Sequence, residues 1–262
     1  MLEVHNLVVR YEKNRDIVNI SEFALQEKEK IIILGPNGSG KTTLIKAVLG
    51  LVNYEGDIKI NGKDLRKIKC ELSVSTNLEE VYSLLYLDIK DLISLYMDLK
   101  GCDEENALKL VRYFGIENIL NKKIWQLSTG QRKLVTNILA ISSEGEILLL
   151  DECFDGIDPP RKAKLANLLN RYEHSILITT HELDMLKYLG HWGIYFMFDG
   201  KIFGKIMPAI KVLNAGIVVG DVDNAILKVE AANKKVSIVP QAGKPFKDFA
   251  DLNILYEELI MT

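Results

Sequence analysis

The sequence predicts an α/β protein built around a mostly parallel β-sheet. Two wholly apolar runs, residues 31–34 and 147–150, are bounded by charged residues or glycine and fit strands that are buried on both faces. Segments with helical periodicity alternate with these runs and with later strand-like runs along most of the chain. This alternation is typical of helices packed on a parallel sheet, and 262 residues are enough for a substantial core.

The N-terminal part of the chain shows a different pattern. Residues 2–34 contain several short β-prone runs separated by polar residues. Residues 56–62 alternate between apolar and polar and end in Asn61-Gly62, which is a tight-turn signal. We therefore expect an N-terminal antiparallel β subdomain.

The run between the first buried strand and the next helix matches the pattern G-x-x-x-x-G-K-[ST]. Its residues are Gly35, Pro36, Asn37, Gly38, Ser39, Gly40, Lys41, Thr42 and Thr43. The glycines allow a tight turn that directs backbone N–H groups inward, and the following helix adds its positive N-terminal end. Lys41 can then reach the β- and γ-phosphates of a nucleotide, and the Thr42 hydroxyl can ligate Mg²⁺. The sequence therefore predicts a P-loop NTPase core.

A helical insertion follows at about residues 77–125. Apolar residues recur at helical spacing after Asp88 and again after Asp103, and Gly101 and Gly115 end the two runs. A further helix, predicted over residues 128–142, leads into the second buried strand.

The second buried strand ends in Asp151 and Glu152. A carboxylate at the end of a strand beside the P-loop strand can bind Mg²⁺, as a Walker B aspartate does, so Asp151 is a second predicted metal ligand. Glu152 is placed to orient or deprotonate the attacking water.

The chain changes character beyond residue 204. Residues 216–219, 225–229 and 235–239 predict strands, and residues 246–260 predict a helix. These elements form a small C-terminal α+β appendage in which we find no phosphate-binding or catalytic motif. Trp125 and Trp192 have no functional placement and are interpreted as structural.

Residues 127–132, Leu-Ser-Thr-Gly-Gln-Arg, resemble the L-S-G-G-Q signature of the ABC ATPases. The order of motifs makes the resemblance specific, because this segment follows a P-loop and a helical insertion and directly precedes the Asp151 strand. The resemblance covers about residues 2–204. It implies an ABC ATPase domain over residues 1–204, with a helical subdomain at about 77–125 and an accessory segment at 205–262. It also implies ATP as the nucleotide and Mg²⁺ as the metal ion.

The same resemblance implies roles for further residues. The signature residues of one copy would close on the γ-phosphate of ATP held by the P-loop of a second copy; they are Ser128, Thr129, Gly130 and Gln131. A complete site therefore needs a dimer, and Asp158 would touch the site of the partner. His181 would contact the γ-phosphate and the catalytic water, which makes it a catalytic residue together with Lys41 and Glu152. Tyr11 would stack on adenine.

Three positions depart from the family pattern. Thr129 replaces the first glycine of the signature pair, and Cys153 stands where proline often follows the catalytic glutamate. Asn77 lies where the Q-loop glutamine is expected. Its amide can still bind Mg²⁺ or the water, with one methylene less reach, so we expect glutamine at this position to preserve or raise turnover.

The implied function is that of the ATP-hydrolysing subunit of an ABC transporter. Its partners would be a second copy, or a homologous ATPase subunit, and separate membrane-spanning subunits that dock on the helical subdomain. Residues 250–259 resemble the closing helix of exporter-type cassettes, which favours export. A non-transport ABC ATPase and a regulatory nucleotide-binding ABC protein with weak turnover are alternatives.

Charge and hydropathy narrow the possible partners and location. A formal net charge of -3 gives no electrostatic reason to expect a nucleic-acid partner. No apolar run approaches the roughly 20 residues that a membrane-spanning helix needs. We therefore expect a cytoplasmic protein, and the resemblance to the ABC ATPases implies that it reaches the inner face of the cell membrane through its partner.

Overall fold

The structure is a computed structural model that describes residues 1–12, 15–68, 72–82, 86–240, 242–249 and 251–261. The chain divides into two compact units, of which the first comprises Met1–Lys69 and Leu177–Thr262 and the second Cys70–Ile176. The C-terminal residues 205–262 group with the first unit. The predicted domain boundary after residue 204 stays a prediction.

The α/β class is confirmed, because strands and helices alternate through both units. The strands are β1 (Leu2–Glu12), β2 (Arg15–Leu25), β3 (Lys30–Leu34), β4 (Glu55–Ile60), β5 (Lys63–Asp64), β6 (Val74–Thr76), β7 (Ile147–Asp151), β8 (Ser175–Thr180), β9 (Gly193–Phe198), β10 (Lys201–Ile206), β11 (Ala215–Val219), β12 (Leu227–Ala231), β13 (Lys234–Pro240) and β14 (Lys244–Pro245). The α-helices are α1 (Lys41–Val48), α2 (Ile89–Lys100), α3 (Glu104–Phe114), α4 (Thr129–Ser142), α5 (Pro159–Arg171), α6 (Leu186–Leu189), α7 (Ile210–Leu213) and α8 (Leu252–Met261). No helix in the described part of the chain is long and apolar enough to cross a membrane.

The first unit contains the predicted N-terminal antiparallel sheet, with the strand order β2-β1-β4-β5. Its first two strands are continuous, each 11 residues long, where the sequence predicted several shorter runs. Asn6, with φ of 49°, lies where the pairing of β1 with β4 shifts register between His5 and Val8. His5 and Asn6, polar residues that separated two of the predicted runs, therefore mark an irregularity within one strand and not its end.

The strands that carry the P-loop lie in the order β10-β9-β3-β8 in the same unit. Strand β3 pairs in parallel with β9, and β9 forms an antiparallel hairpin with β10. Ile31, Ile32, Ile33 and Leu34 are fully buried, as the apolar run predicted. Helix α1 follows and buries Leu44, so strand, loop and helix follow one another directly, as the sequence predicted.

The C-terminal residues form a third sheet, in the order β12-β13-β11-β14, followed by α8. The predicted helix over residues 246–260 is wrong in its first part. A short 3₁₀ turn spans Phe246–Asp248, and Phe249 is extended with φ of -97° and ψ of 137°. Asp251 then starts α8, because its Oδ1 accepts from the backbone N–H of Asn253 at 2.8 Å and of Ile254 at 3.2 Å.

The second unit contains the helical insertion and the second buried strand. Strands β6 and β7 pair in parallel, with Val74 opposite Ile147. Asp88 and Asp103 cap α2 and α3 through their side chains, and both helices end in a glycine in the left-handed conformation, as predicted. All five residues of β7 are buried, which fits the continuous apolar run.

Candidate nucleotide site

The P-loop is held tightly by its glycines. A Cβ on Gly35 would lie 2.4 Å from the backbone oxygen of Met197, and a Cβ on Gly40 would lie 2.8 Å from the backbone oxygen of Ile17. Gly40 also has φ of 105°, which L side chains rarely adopt. The loop can therefore approach the neighbouring strands only with glycine at these two positions.

Two polar side chains of the loop suit a phosphate group. Lys41 is 5% exposed, and its Nζ donates to the backbone oxygens of Gly35 at 2.7 Å and Pro36 at 2.9 Å. The Ser39 hydroxyl is buried and has no hydrogen-bond partner among the described residues. Phosphate oxygens are stronger acceptors for an ammonium than neutral carbonyls. The two side chains therefore suit the phosphates of a nucleotide, and the assignment of these residues stays a prediction.

Tyr11 and His181 lie at the edge of this loop within the first unit. The Tyr11 hydroxyl is 3.3 Å from Thr43 Oγ1, and Tyr11 is 59% exposed. Strand β8 ends at Thr180, whose backbone oxygen accepts from the Gly35 N–H at 3.1 Å. His181 directly follows, so the chain brings it to the start of the P-loop.

The start of helix α8 also reaches the P-loop, which sequence reasoning missed. Asn253 Oδ1 accepts from the Asn37 backbone N–H at 2.7 Å. The next contact along the segment joins the Leu252 N–H to the His181 backbone oxygen at 3.1 Å. The capping pattern at Asp251 could have indicated a helix start there, but no local signal points from it to a loop more than 200 residues earlier.

The Walker B residues lie at the end of β7 in the second unit. Asp151 is 8% exposed, and Glu152 follows with φ of 45°, a left-handed conformation. Asn77 is 1% exposed, and its side-chain amide bonds to both the backbone N–H and the backbone oxygen of Asp151. Its Nδ2 also donates to Asn137 Oδ1 at 2.8 Å. This arrangement argues against the expectation that Asn77 binds Mg²⁺, because the amide is turned onto the protein backbone.

The signature residues form the N-terminus of α4. Ser128 Oγ accepts from the Gln131 N–H at 3.3 Å, and Gln131 Oε1 accepts from the Ser128 N–H at 3.1 Å, which is a capping box. A Cβ on Gly130 would lie 2.2 Å from the backbone oxygen of Gly156. Thr129 is exposed, so its side chain fits where the family has glycine. The second glycine of the pair is therefore required by packing, whereas the first is not.

Asp158 caps the next helix, α5. It accepts from the Arg161 backbone N–H at 3.1 Å and from the Arg161 guanidinium at 2.7 Å. Burial acts to raise the pKa of Asp158, but the hydrogen bonds and charge of Arg161 outweigh it and lower that pKa. The side chain is therefore an exposed carboxylate in the folded unit.

The sequence interpretation of both tryptophans as structural holds for Trp192, which is 1% exposed. Trp125, in contrast, is not a core residue. Trp125 is 50% exposed and packs edge to face on Tyr86, with ring centroids 5.2 Å apart, and Tyr86 is itself 81% exposed. The Lys123 ammonium lies 5.6 Å from the Trp125 ring centroid and donates to the Tyr86 backbone oxygen at 2.8 Å. These three residues form an exposed aromatic patch on the second unit.

Comparison with known proteins agrees with this arrangement of motifs. The family model described as ABC transporter matches residues 18–155. The taurine import ATP-binding protein TauB of Escherichia coli O6:K15:H31 (strain 536 / UPEC) is 30% identical over 193 residues, which are 70% of this chain and 74% of TauB. The tungstate uptake system ATP-binding protein TupC of Peptoclostridium acidaminophilum is 28% identical over 71% of this chain and 89% of its own length. A crystal structure provisionally assigned as a cobalt transport ATP-binding protein (cbiO-2) is 36% identical, covers 98% of this chain and 99% of that chain, and has a TM-score of 0.90.

Proposed function

Because the chain belongs to the ABC transporter family of ATP-binding cassettes, which hydrolyse ATP to power transport, we propose that it is the ATPase subunit of an importer. The main observation that supports a nucleotide site is the glycine-rich loop, in which the buried Lys41 ammonium donates to backbone oxygens. The direction is supported by relatives that serve taurine import and tungstate uptake. The export expected from residues 250–259 has no support among these relatives and is withdrawn.

ATP binding is assigned to the P-loop and Tyr11. The γ- and β-phosphates take hydrogen bonds from the loop amides and from Lys41, whose ammonium then exchanges backbone oxygens for phosphate oxygens. The Ser39 hydroxyl gains in the phosphates an acceptor that it lacks among the described residues. Adenine stacks on the exposed face of Tyr11.

Mg²⁺ is assigned to Thr42 and Asp151 from their motif positions, together with phosphate oxygens and water. Mg²⁺ typically takes one or two protein oxygens and keeps several waters. When bound, the ion neutralises charge that develops on the transferred phosphoryl group.

Hydrolysis is assigned to Glu152, His181 and Lys41. Glu152 orients or deprotonates the water, His181 holds the γ-phosphate and the water in place, and Lys41 stabilises the phosphoryl charge. Cassettes of this family form dimers and work with membrane subunits of transporters. In the dimer, the α4 N-terminus of the second copy would bind the γ-phosphate through its Ser128–Gln131 segment, with Asp158 at the contact.

Membrane subunits are proposed to dock on the exposed aromatic patch of Tyr86, Lys123 and Trp125. Large exposed aromatic side chains with a polar edge are enriched at protein interfaces. The patch lies in the region that was expected to receive the membrane subunits. Docking there would hold the protein at the cytoplasmic face of the membrane.

The proposed catalytic role is tested with Glu152→Gln. This variant keeps the size of the side chain but removes the base, so we expect ATP binding to persist while hydrolysis falls by about 10²- to 10⁴-fold. With ATP and Mg²⁺ it should then elute as a dimer in size-exclusion chromatography, whereas the nucleotide-free variant elutes as a monomer. Hydrolysis at the wild-type rate, or no dimer at saturating ATP, would contradict the assignment of Glu152.

A further inference from the structure

The backbone at Glu152 adopts a conformation that few residues other than glycine adopt. Its φ of 45° lies in the left-handed region, where a Cβ comes close to the following carbonyl oxygen. Such a conformation persists only when the surrounding structure fixes it, and it is common at active sites. The groups that fix the residues on either side of Glu152 therefore bear on its function.

Asn77 fixes the residue before Glu152. Its Oδ1 accepts from the Asp151 N–H at 2.7 Å, and its Nδ2 donates to the Asp151 backbone oxygen at 3.1 Å. Because both backbone polar groups of Asp151 bond to one side chain, the peptide on each side of Asp151 has a defined orientation. Lys133 Nζ adds a further donor to the same oxygen at 3.2 Å.

Asn137 fixes the residue after Glu152. This residue of α4 is 0% exposed, and its Nδ2 donates to the Cys153 backbone oxygen at 2.8 Å. Its Oδ1 accepts from Asn77 Nδ2, which joins the two amides into one buried pair. Most neighbouring side chains of α4 that are also buried are apolar, among them Leu134, Val135 and Ile138, and the buried Thr136 bonds within the helix. A buried amide is costly unless it is hydrogen-bonded, and here each amide is bonded to the catalytic segment.

We propose that Asn77 and Asn137 are positioning residues that hold residues 151–153 in the conformation in which the Glu152 carboxylate is productive. The two amides bond to each other and to the backbone of Asp151 and Cys153. The proposal rests on the proposed role of Glu152 in hydrolysis, and it replaces the metal-ligand role that the sequence suggested for Asn77. Displacing a catalytic group by about 1 Å can lower a rate by about 10²-fold, so small movements of this segment are sufficient.

The first test is Asn137→Leu in the full chain. The side chains have similar size, but leucine cannot bond to Cys153 or to Asn77. We expect kcat to fall by about 10- to 100-fold, while KM for ATP changes by less than about 3-fold, because the P-loop contacts are untouched. Thr136→Val is the matched control, because Thr136 is fully buried in the same helix and its hydroxyl bonds to the Lys133 backbone oxygen within that helix. The control should keep the wild-type kcat.

The second test is Asn77→Gln, which keeps the amide and lengthens it by one methylene. If Asn77 were a ligand of Mg²⁺ or of the water, this variant would preserve or raise turnover, as the sequence comparison suggested. Under the present proposal kcat falls, because a longer amide cannot pair with Asp151 in a site that is only 1% exposed. This variant retains a polar pair, so it decides the question if Asn137→Leu fails to fold in thermal melting.

Glu152→Gln is the reference variant that distinguishes a failure of the proposed catalytic role of Glu152 from a failure of the positioning role of the two asparagines. If this variant hydrolyses ATP at the wild-type rate, the proposed role of Glu152 fails. If it is inactive while both asparagine variants that fold keep the wild-type kcat, only the positioning role is overturned. A rise of KM for ATP with unchanged kcat in both asparagine variants would also overturn the positioning role, because that pattern indicates altered ATP binding.

Discussion

The contact between Asn253 and the P-loop leads to a quantitative prediction about ATP affinity. The Asn37 N–H belongs to the row of loop amides that phosphates use, and it is already bonded to Asn253 Oδ1 at 2.7 Å. ATP must therefore displace this acceptor before it can use that amide. A neutral hydrogen bond contributes about 0.5–1.5 kcal/mol net, and an exposed one lies at the low end of this range. Removing the acceptor with Asn253→Ala should therefore tighten ATP binding by about 2- to 5-fold.

A second substitution at the same position should act in the opposite direction. Asn253→Asp keeps an acceptor for the Asn37 N–H and adds a negative charge beside the phosphate site. Two like charges about 4 Å apart repel by about 1 kcal/mol in water and by more near a protein surface, so ATP should bind about 5- to 10-fold more weakly. Raising the ionic strength should reduce this loss, since exposed charges are screened by salt.

The assay is an equilibrium titration with a fluorescent ATP analogue in the Glu152→Gln background, which prevents turnover during the measurement. Ile254→Ala is the matched control, because Ile254 is the next residue of α8 and its side chain is 42% exposed. Tighter binding by Asn253→Ala alone supports competition. Weaker binding by Asn253→Ala would refute it and would mean that the Asn253 side chain assists the nucleotide.

Two further predictions concern the P-loop and the signature. Lys41→Ala should weaken ATP binding by about 10- to 100-fold, because a hydrogen bond to a charged group contributes about 1.5–3 kcal/mol; unchanged affinity in the same titration would contradict the phosphate role. Gly130→Ala should abolish the ATP-dependent dimer and destabilise the fold by about 1–3 kcal/mol, because its Cβ would lie 2.2 Å from the Gly156 backbone oxygen. Size-exclusion chromatography and thermal melting measure both effects. Gly101→Ala is the control for destabilisation without a steric clash, since its φ of 69° disfavours alanine while its added Cβ meets no atom within 4 Å among the described residues. It should therefore lower the melting temperature and keep the dimer, whereas a dimer that persists in Gly130→Ala would contradict the packing argument.

Local patterns predicted the main parts of the fold and the site. The P-loop, the Asp151 strand and the caps at Asp88 and Asp103 each depend on residues close in sequence, so their structure follows from spacing and propensity. The continuous strand through Asn6 and the break after Phe246 were not predicted. In both places a backbone conformation set by neighbouring strands or by an Asp251 cap overrides the local pattern.

The contacts that sequence reasoning missed join residues far apart in the chain. The Asn77–Asn137 bond spans 60 positions, and the Asn37–Asn253 bond spans 216. An asparagine has no periodicity or motif that identifies its partner, and each of these residues is compatible with a turn or a surface position. Their roles become apparent only when the fold brings the amides to a defined backbone group.

The departure at position 77 has a physical reason once Asn137 is considered with it. A glutamine amide extends one methylene further from the backbone, whereas the asparagine amide is short enough to pair with the N–H and C=O of Asp151. That pairing leaves one Nδ2 hydrogen for Asn137, which in turn carries the contact to Cys153. The shorter side chain therefore extends less far, but it holds the backbone next to Glu152 through its two bonds to Asp151. It follows that substituting Gln at position 77 alone should impair the chain, and that the effects of changes at positions 77 and 137 should not be additive, since residues in one hydrogen-bond network are coupled.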